Sequence, residues 1–216
     1  SMSLNKFSEL FVDLDSSNST NNKIEVLKNY FLSNEPIDNS WTIYLLTGKN
    51  NKRFVSGRYL RDLFSEVYDY PQWLIDTCYL KVGDSAEVIT LLLKNKNASQ
   101  TKKIHKTSLN ELLSKVLPEL SKLNEEEKKL RIKKAWETLP AENHLTFNKI
   151  LTGTFRVGVS VGLITKSIAK LINIDEEIIS HRLMGDFKPS INAYEFLFNR
   201  NINPVSYTHL TLPTRS

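Results

Sequence analysis

The residues best suited to chemistry lie in two glycine-containing stretches, each placed directly before an apolar helical pattern. The first is Leu45 to Ser56 (LLTGKNNKRFVS) and the second is Ile150 to Ser160 (ILTGTFRVGVS). The serine that ends each stretch can cap the next helix by accepting a hydrogen bond from its free amides. Amides at a helix N-terminus, preceded by small residues and a basic side chain, favour a bound phosphate. Both stretches therefore predict phosphate-binding loops.

The two loops belong to longer segments that share one order of residue types. Each segment has LTG, a basic residue, Val-Ser, two helical patterns and then Gly-Asp, at Gly83-Asp84 and at Gly185-Asp186. The offset between matching positions drifts by only three residues over the whole segment. This regularity favours a diverged internal duplication with repeat units at about 45–84 and 150–186. The alternative is that two similar helical hairpins simply need similar turns.

The composition is that of an ordinary globular protein with a moderately basic charge. The chain has 216 residues, 40% hydrophobic and 25% charged, and a formal net charge of +5. This charge is compatible with a nucleic-acid partner but does not by itself establish one. The single cysteine, Cys78, excludes an intramolecular disulfide, and its apolar neighbours predict a buried thiol. No membrane-spanning run or signal peptide is visible, so we expect a cytoplasmic protein without a membrane partner.

The periodicity of the apolar residues predicts an all-α protein. Leu4 to Leu14 and Lys23 to Leu32 each carry an apolar stripe at helical spacing. Ser108 with Glu111 and Asn124 with Glu127 form capping-box patterns, which mark two helix starts. Trp41 to Leu46 is interpreted as a short apolar helix that leads into the first loop. No alternating strand pattern of useful length is present.

Motifs for self-sufficient catalysis are missing from the sequence. There is no GxxxxGK[ST] or GxGxxG loop, no histidine pair with metal-ligand spacing and no serine in a nucleophile elbow. Asp84 and Asp186 are interpreted as helix caps rather than as catalytic carboxylates. A complete enzyme is therefore the least favoured of the possible functions.

Three further stretches differ in composition from the helical segments. Lys94 to Thr107 has five lysines and no acid, so it predicts an exposed loop. That loop is either a solvated connector or a basic strap over phosphates. Ser1-Met2 is interpreted as a tag remnant. Val205 to Ser216 fits no helical pattern and is interpreted as a non-native tail.

The combined motifs resemble a known family. LTG followed by RVGVS, a helix and HRLMGD resembles the N-terminal DNA-binding domain of ATP-dependent DNA ligases, most closely the bacterial multidomain type. The upstream LLTGKNNKRFVS and WLIDTCYLKVGDSAEVITLLL agree with this resemblance, which covers about Leu4 to Pro204. It implies a single all-helical domain over 3–204 with internal pseudo-two-fold symmetry. Such a domain binds the minor groove and the phosphate backbone on both sides of a nick.

The resemblance also implies which residues contact DNA. Glycines let backbone amides approach a phosphate, hydroxyls donate to phosphate oxygens, and cations displace counterions. None of these groups reads base edges, so binding is expected to be independent of sequence and sensitive to salt. Carried over onto matching positions, the expected contacts are Thr47, Gly48, Lys49, Lys52, Arg53, Ser56 and Arg58 in the first loop, and Thr152, Gly153, Arg156, Gly158, Ser160 and Lys166 in the second.

A comparison with the family's catalytic motif shows what this sequence lacks. The family's nucleotidyl transfer uses the lysine of a KxDG motif, and no KxDG occurs here. The resemblance therefore implies that the sequence stops before the adenylation domain and has no cofactor of its own. ATP and Mg are expected only for the full-length parent, with roles in DNA repair, replication or recombination. The implied partners are double-stranded or nicked DNA and the missing adenylation and OB domains, with the chain itself a monomer.

One alternative of a different class stays open. A helical protein-interaction module without DNA binding would use the repeat for packing, as solenoid proteins do. That alternative predicts an exposed apolar groove and little response to salt.

Overall fold

The computed structural model describes residues 3–48, 52–96 and 106–202. These residues form helices and connecting turns, and no strand occurs among them. The all-α prediction is confirmed. Lys49, most of the basic stretch and the whole 205–216 tail lie outside the described residues, so the predictions made for them stay predictions.

The helices follow one another along the chain with short connections. The segment 109–122 is helical throughout but changes type from one turn to the next. The bounds are α1 Ser3–Ser16, α2 Thr20–Ser33, α3 Pro36–Leu46, α4 Gly57–Tyr68, α5 Gln72–Val82, α6 Ser85–Asn95, α7 Leu109–Glu111, a π turn Leu112–Val116, α8 Leu117–Glu119, a 3-10 turn Leu120–Lys122, α9 Glu125–Thr138, a 3-10 turn Ala141–Asn143, α10 His144–Thr152, α11 Val161–Ile172, α12 Glu176–Leu183 and α13 Ile191–Leu197.

The contacts divide the described chain into two compact units, and each unit combines two separate stretches of sequence. Unit 1 comprises 3–8 and 52–156, and unit 2 comprises 9–48 and 157–202. Neither the single domain over 3–204 nor the internal duplication is established by this division. Both stay predictions.

Unit 1 packs α4, α5, α6 and α10 around apolar side chains, with Phe64 and Trp136 in edge contact at a centroid distance of 6.1 Å. Two of its buried polar side chains, Trp136 and His144, are hydrogen-bonded within the unit. The Trp136 indole N–H donates to Asn148 Oδ1 at 2.8 Å, and the His144 ring lies 2.8 Å from the Trp136 carbonyl. Such pairing is what makes burial of polar groups tolerable.

Unit 2 packs α2 against α11, α3 against α13 and α11 against α12. Its core also contains paired polar groups. The Tyr30 hydroxyl lies 2.6 Å from Thr42 Oγ1. The side-chain amide of Asn39 donates from Nδ2 to the Phe31 carbonyl at 2.8 Å. Burial is the main cause that raises the pKa of Tyr30 well above its ordinary value.

The π turn in the 109–122 segment has a cause in the sequence. The Leu117 amide donates to the Leu112 carbonyl, five residues back, instead of four. Pro118 follows directly; it has no N–H, and its ring would clash with the carbonyl four residues back in a regular helix. Widening the turn before the proline relieves that clash.

Several local expectations are corrected by the structure. The helix before the first loop begins at Pro36 and not at Trp41, because proline is tolerated in the first helical turn. Asp186 caps no described helix; it is exposed and lies 3.9 Å from Lys188. Cys78 is half-buried and not buried, because α5 turns Trp73 and Leu80 to solvent and buries Ile75.

In the part of the chain that the structure describes, no helix is both long and apolar enough to cross a membrane.

Candidate nucleic-acid interface

The second half of the first loop, Lys52 to Ser56, is its basic half and leads into α4 in unit 1. Ser56 Oγ accepts from the Tyr59 amide at 3.0 Å, so the predicted cap is confirmed. Lys52, Arg53 and Arg58 are all exposed on the surface of this unit. The Arg58 side chain is 84% exposed, and its contact with Asp62 is long, at 3.9 Å. These cations can therefore reach a partner in solvent.

This loop rests on the C-terminal end of α10. The amides of Phe54 and Val55 donate to the Leu151 carbonyl at 3.0 and 3.1 Å. Carbonyls at a helix C-terminus have no partner within the helix, so the loop supplies the missing donors. Unit 1 thus joins the basic half of the first loop to the first half of the second loop.

Gly153 is the residue that allows this close approach. Its φ is +70°, and a Cβ built there would lie 3.2 Å from Arg53 Cα and 3.3 Å from the Lys52 carbonyl oxygen. A side chain would therefore push against backbone atoms, which cannot move aside cheaply. The structure thus gives this glycine a packing role against the other loop, and its predicted approach to phosphate stays a prediction.

The other second-loop residues of unit 1 differ in accessibility. Thr152 is buried, and its hydroxyl donates to the Asn148 carbonyl at 2.9 Å. Arg156 is exposed and donates to the Phe155 carbonyl at 2.7 Å, while the Phe155 ring packs on Phe7 at 5.3 Å. The buried phenylalanine anchors the backbone that presents Arg156.

Sequence reasoning missed Arg61, which positions the start of α4. Its Nη1 donates to Ser85 Oγ at 2.6 Å, and its guanidinium lies 3.8 Å from the centre of the Tyr79 ring. A Cβ at Gly57 would lie 2.7 Å from Ser85 Oγ, so the N-terminus of α4 packs closely on α6. In the sequence, only Gly57, the small residue directly after the capping Ser56, could have indicated that the start of α4 packs closely on another helix.

A tyrosine in the first turn of α4 remains neutral. Burial, with Glu125 as the next cause, raises the pKa of Tyr59 to about 12. Its hydroxyl donates to Glu125 Oε2 at 3.4 Å, and the Lys128 ammonium lies 4.6 Å from the ring centre. Tyr59 therefore adds no negative charge beside the Ser56 cap.

In unit 2 the second loop enters α11. Ser160 Oγ accepts from the Leu163 amide at 3.1 Å, which confirms the second predicted cap. Gly158 is exposed and Lys166 is exposed on α11. Lys23, which sequence reasoning also missed, donates from Nζ to the Gly158 carbonyl at 3.1 Å. It brings a cation from α2 to the loop, a contact across 135 positions that no local pattern could indicate.

Unit 2 also contains the start of the first loop. Thr47 ends α3 and its hydroxyl donates to the Tyr44 carbonyl at 3.2 Å. Gly48 is exposed, with φ +64°. Each predicted loop is thus shared between the units: Thr47 and Gly48 lie in unit 2 and Lys52 to Arg58 in unit 1, while Thr152 to Arg156 lie in unit 1 and Gly158 to Lys166 in unit 2.

The carboxylate after the first hairpin has a structural role. Asp84 Oδ1 accepts from the Glu87 amide at 3.1 Å, as predicted for a cap. Lys149, whose side chain is only 12% exposed, lies 3.4 Å from Asp84 and 3.2 Å from Glu87. Among the described residues no group of His, Cys, Asp and Glu side chains could hold a metal ion.

Taken together, the geometry defines an all-helical protein in which two serine-capped helices are entered through loops with exposed cations. The family model described as DNA ligase N terminus matches residues 3–169, and the chain belongs to this family, the N-terminal domains of ATP-dependent DNA ligases. The match spans both loops and ends within α11. The resemblance to the family is confirmed over residues 3–169, while its extension to Pro204 and the bacterial multidomain type stay predictions. A comparison with curated proteins found no match.

Proposed function

We propose that this chain binds duplex DNA through its phosphate backbone, without sequence preference and around nicks, as the N-terminal domain of an ATP-dependent DNA ligase. Membership of the ligase N-terminal family is the observation that carries this proposal. The capped and cation-bearing loops supply a physical means of binding.

The unit 1 surface suits phosphate through charge. Lys52, Arg53, Arg58 and Arg156 are exposed, and α4 begins beside three of them. A helix N-terminus carries a partial positive charge, so it adds to the attraction for an anion. Thr152 would contribute through the fold and not through its hydroxyl, which is already bonded within α10.

The unit 2 surface suits phosphate through the start of α11. Gly158 and Ser160 leave the backbone accessible, and Lys23 and Lys166 supply cations. Lys170 is a poorer candidate because it lies 3.4 Å from Glu25. All the groups of both units address phosphates rather than base edges, so binding should not depend on sequence.

Nick sealing, with ATP and Mg, is proposed for a parent protein that also contains adenylation and OB domains. The residues of this chain do not fit the nucleotide step, because the KxDG lysine that would accept AMP is missing. Roles in DNA repair, replication or recombination belong to that same proposal. The monomeric state and the cytoplasmic location stay predictions.

The test is fluorescence anisotropy on nicked and intact duplexes of several sequences. The variant Arg53→Glu with Arg156→Glu should lose duplex affinity while its Tm stays nearly unchanged, because both side chains are exposed. The matched control is Lys81→Glu with Lys122→Glu, which makes the same charge change at exposed positions outside the loops. Unaltered DNA binding in the first variant, or equal losses in both, would refute the loop assignment.

One observation favours the alternative, a helical protein-interaction module. Trp73 and Leu80 lie seven residues apart on α5 and are 70% and 83% exposed. Residues at this spacing share a helix face. Absence of DNA binding at low salt, in the same anisotropy experiment, would favour this function over DNA binding.

A further inference from the structure

A cavity of about 560 Å³ lies within unit 1, and none of its lining residues belongs to the predicted DNA-contact set. One wall is the π turn Leu112–Val116 with its neighbours, and the other is a face of α9. This volume lies in the range of small-ligand pockets, which span about 300 to 1,000 Å³.

The interior of the cavity is apolar. Leu112, Leu139 and Phe147 lie behind its surface and are almost closed to solvent, and the apolar lining that stays accessible is Val116 and Ala135, both half-buried. On α9 the lining position Ala135 has a methyl group where a longer side chain would fill the space. The widened turn before Pro118 and this small residue together leave the cavity open.

The rim of the cavity is charged, with an excess of cations. Arg131 Nη1 lies 3.2 Å from Glu119 Oε2, and this ion pair links the two walls. The other charged lining residues are Lys115, Lys134 and Glu111. Both lysines are exposed. One positive charge is therefore left over at the rim.

We propose that this cavity binds a small amphipathic organic anion, an apolar ring or short chain that carries one carboxylate, sulfonate or phosphate group. The apolar part would lie against Val116 and Ala135, the half-buried apolar lining, where its burial removes apolar surface from water. The anionic group would lie between Lys115 and Lys134, where it neutralises the excess charge. Nucleic acid is not the ligand, because a duplex cannot enter a concave apolar cavity of this size.

The probe is 8-anilinonaphthalene-1-sulfonate, with the uncharged N-phenyl-1-naphthylamine as its matched neutral analogue. Fluorescence titration of the full chain gives each affinity, and amide chemical shifts of ¹⁵N-labelled protein locate each probe. We expect the sulfonate to bind at one site, with shifts at Leu112, Ala135 and Phe147. The neutral analogue should bind there more weakly.

Two variants test separately the positive charge at the rim and the volume of the cavity. Lys115→Ala with Lys134→Ala should weaken the sulfonate about tenfold and leave the neutral analogue unchanged. Lys81→Ala with Lys122→Ala, at exposed positions outside the cavity, should change neither affinity. Ala135→Leu should fill the cavity and weaken both probes, while circular dichroism verifies that the helices persist.

Two results would overturn the proposal. One is sulfonate binding that the lysine substitutions leave intact, and the other is a set of shifts centred on the exposed Trp73 and Leu80. DNA affinity serves as an independent readout, because the cavity variants should retain it. Failure of DNA binding in the unaltered chain would therefore not count against the cavity.

Discussion

At the scale of single residues, the glycines show how one residue type serves different purposes. Gly48 and Gly153 both have positive φ at the end of a helix, where glycine is favoured. Only Gly153 of the two meets described backbone atoms within 4 Å of an added Cβ. Gly158 has neither a positive φ nor such a neighbour. Substitutions at these three positions can therefore distinguish the free-energy cost of a positive φ from that of a steric clash.

Alanine substitutions at these glycines should give graded losses of stability. Gly158→Ala should change the free energy of unfolding by less than about 0.5 kcal/mol. Gly48→Ala should cost about 1 kcal/mol, because an L-residue is strained at positive φ. Gly153→Ala should cost about 2 kcal/mol or more, since the methyl group also meets Arg53. Urea unfolding measures all three.

The same variants test the coupling of Gly153 to DNA binding. In Gly153→Ala the added methyl group should displace the backbone of Lys52 and Arg53. Duplex affinity should therefore fall more in Gly153→Ala than in Gly48→Ala. Equal stability losses at positions 48 and 153 would contradict the steric role of Gly153.

At the scale of helices, α10 shows how a buried polar residue makes stability depend on pH. His144 begins α10, and its ring N–H donates to the Trp136 carbonyl at 2.8 Å. Burial is the main cause that lowers the pKa of His144 below its ordinary value. The neutral ring is therefore favoured in the folded state. Its stabilising contribution is complete above the unfolded-state pKa of about 6.5 and is lost as pH falls through the lower folded-state pKa.

This linkage predicts that the free energy of unfolding decreases as pH is lowered from 7 to 5. In His144→Gln, which keeps an N–H donor but cannot titrate, the decrease over this range should be smaller. Urea midpoints at half-unit pH intervals provide the measurement. His181→Gln is the control, because that histidine lies at a half-buried position on α12. A pH profile unchanged by His144→Gln would exclude this contribution.

At the scale of the whole molecule, proposed DNA binding is a sum of many weak ionic contacts. Releasing counterions makes the logarithm of the association constant fall linearly with the logarithm of salt concentration, by about 0.9 per neutralised phosphate. The exposed cations of the two units would each contribute one such contact at most. The steepness of the salt dependence therefore counts the cations that act.

Replacing one contact cation should reduce that slope by about one. Arg53→Gln, Arg156→Gln and Lys166→Gln should each do so on every duplex sequence. Lys122→Gln, which removes an exposed charge outside the loops, should leave the slope unchanged. Anisotropy titrations at several salt concentrations measure the slope, and identical slopes in all four variants would reject these contacts.

The sequence alone determined the features that depend on neighbours along the chain. Apolar periodicity predicted the helices, and serine or aspartate before an apolar run predicted the caps at Ser56, Ser160 and Asp84. These inferences succeed because a cap or a helical stripe involves residues within about one turn of each other. The motif order was also sufficient to identify the ligase N-terminal family.

Tertiary structure decided the features that join distant parts of the chain. It placed Gly153 against Arg53, buried Thr152, brought Lys23 to Gly158 and fixed Arg61 on Ser85. It also divided each predicted loop between two units. No local pattern encodes these contacts, because they arise only when helices far apart in sequence bury their apolar faces together.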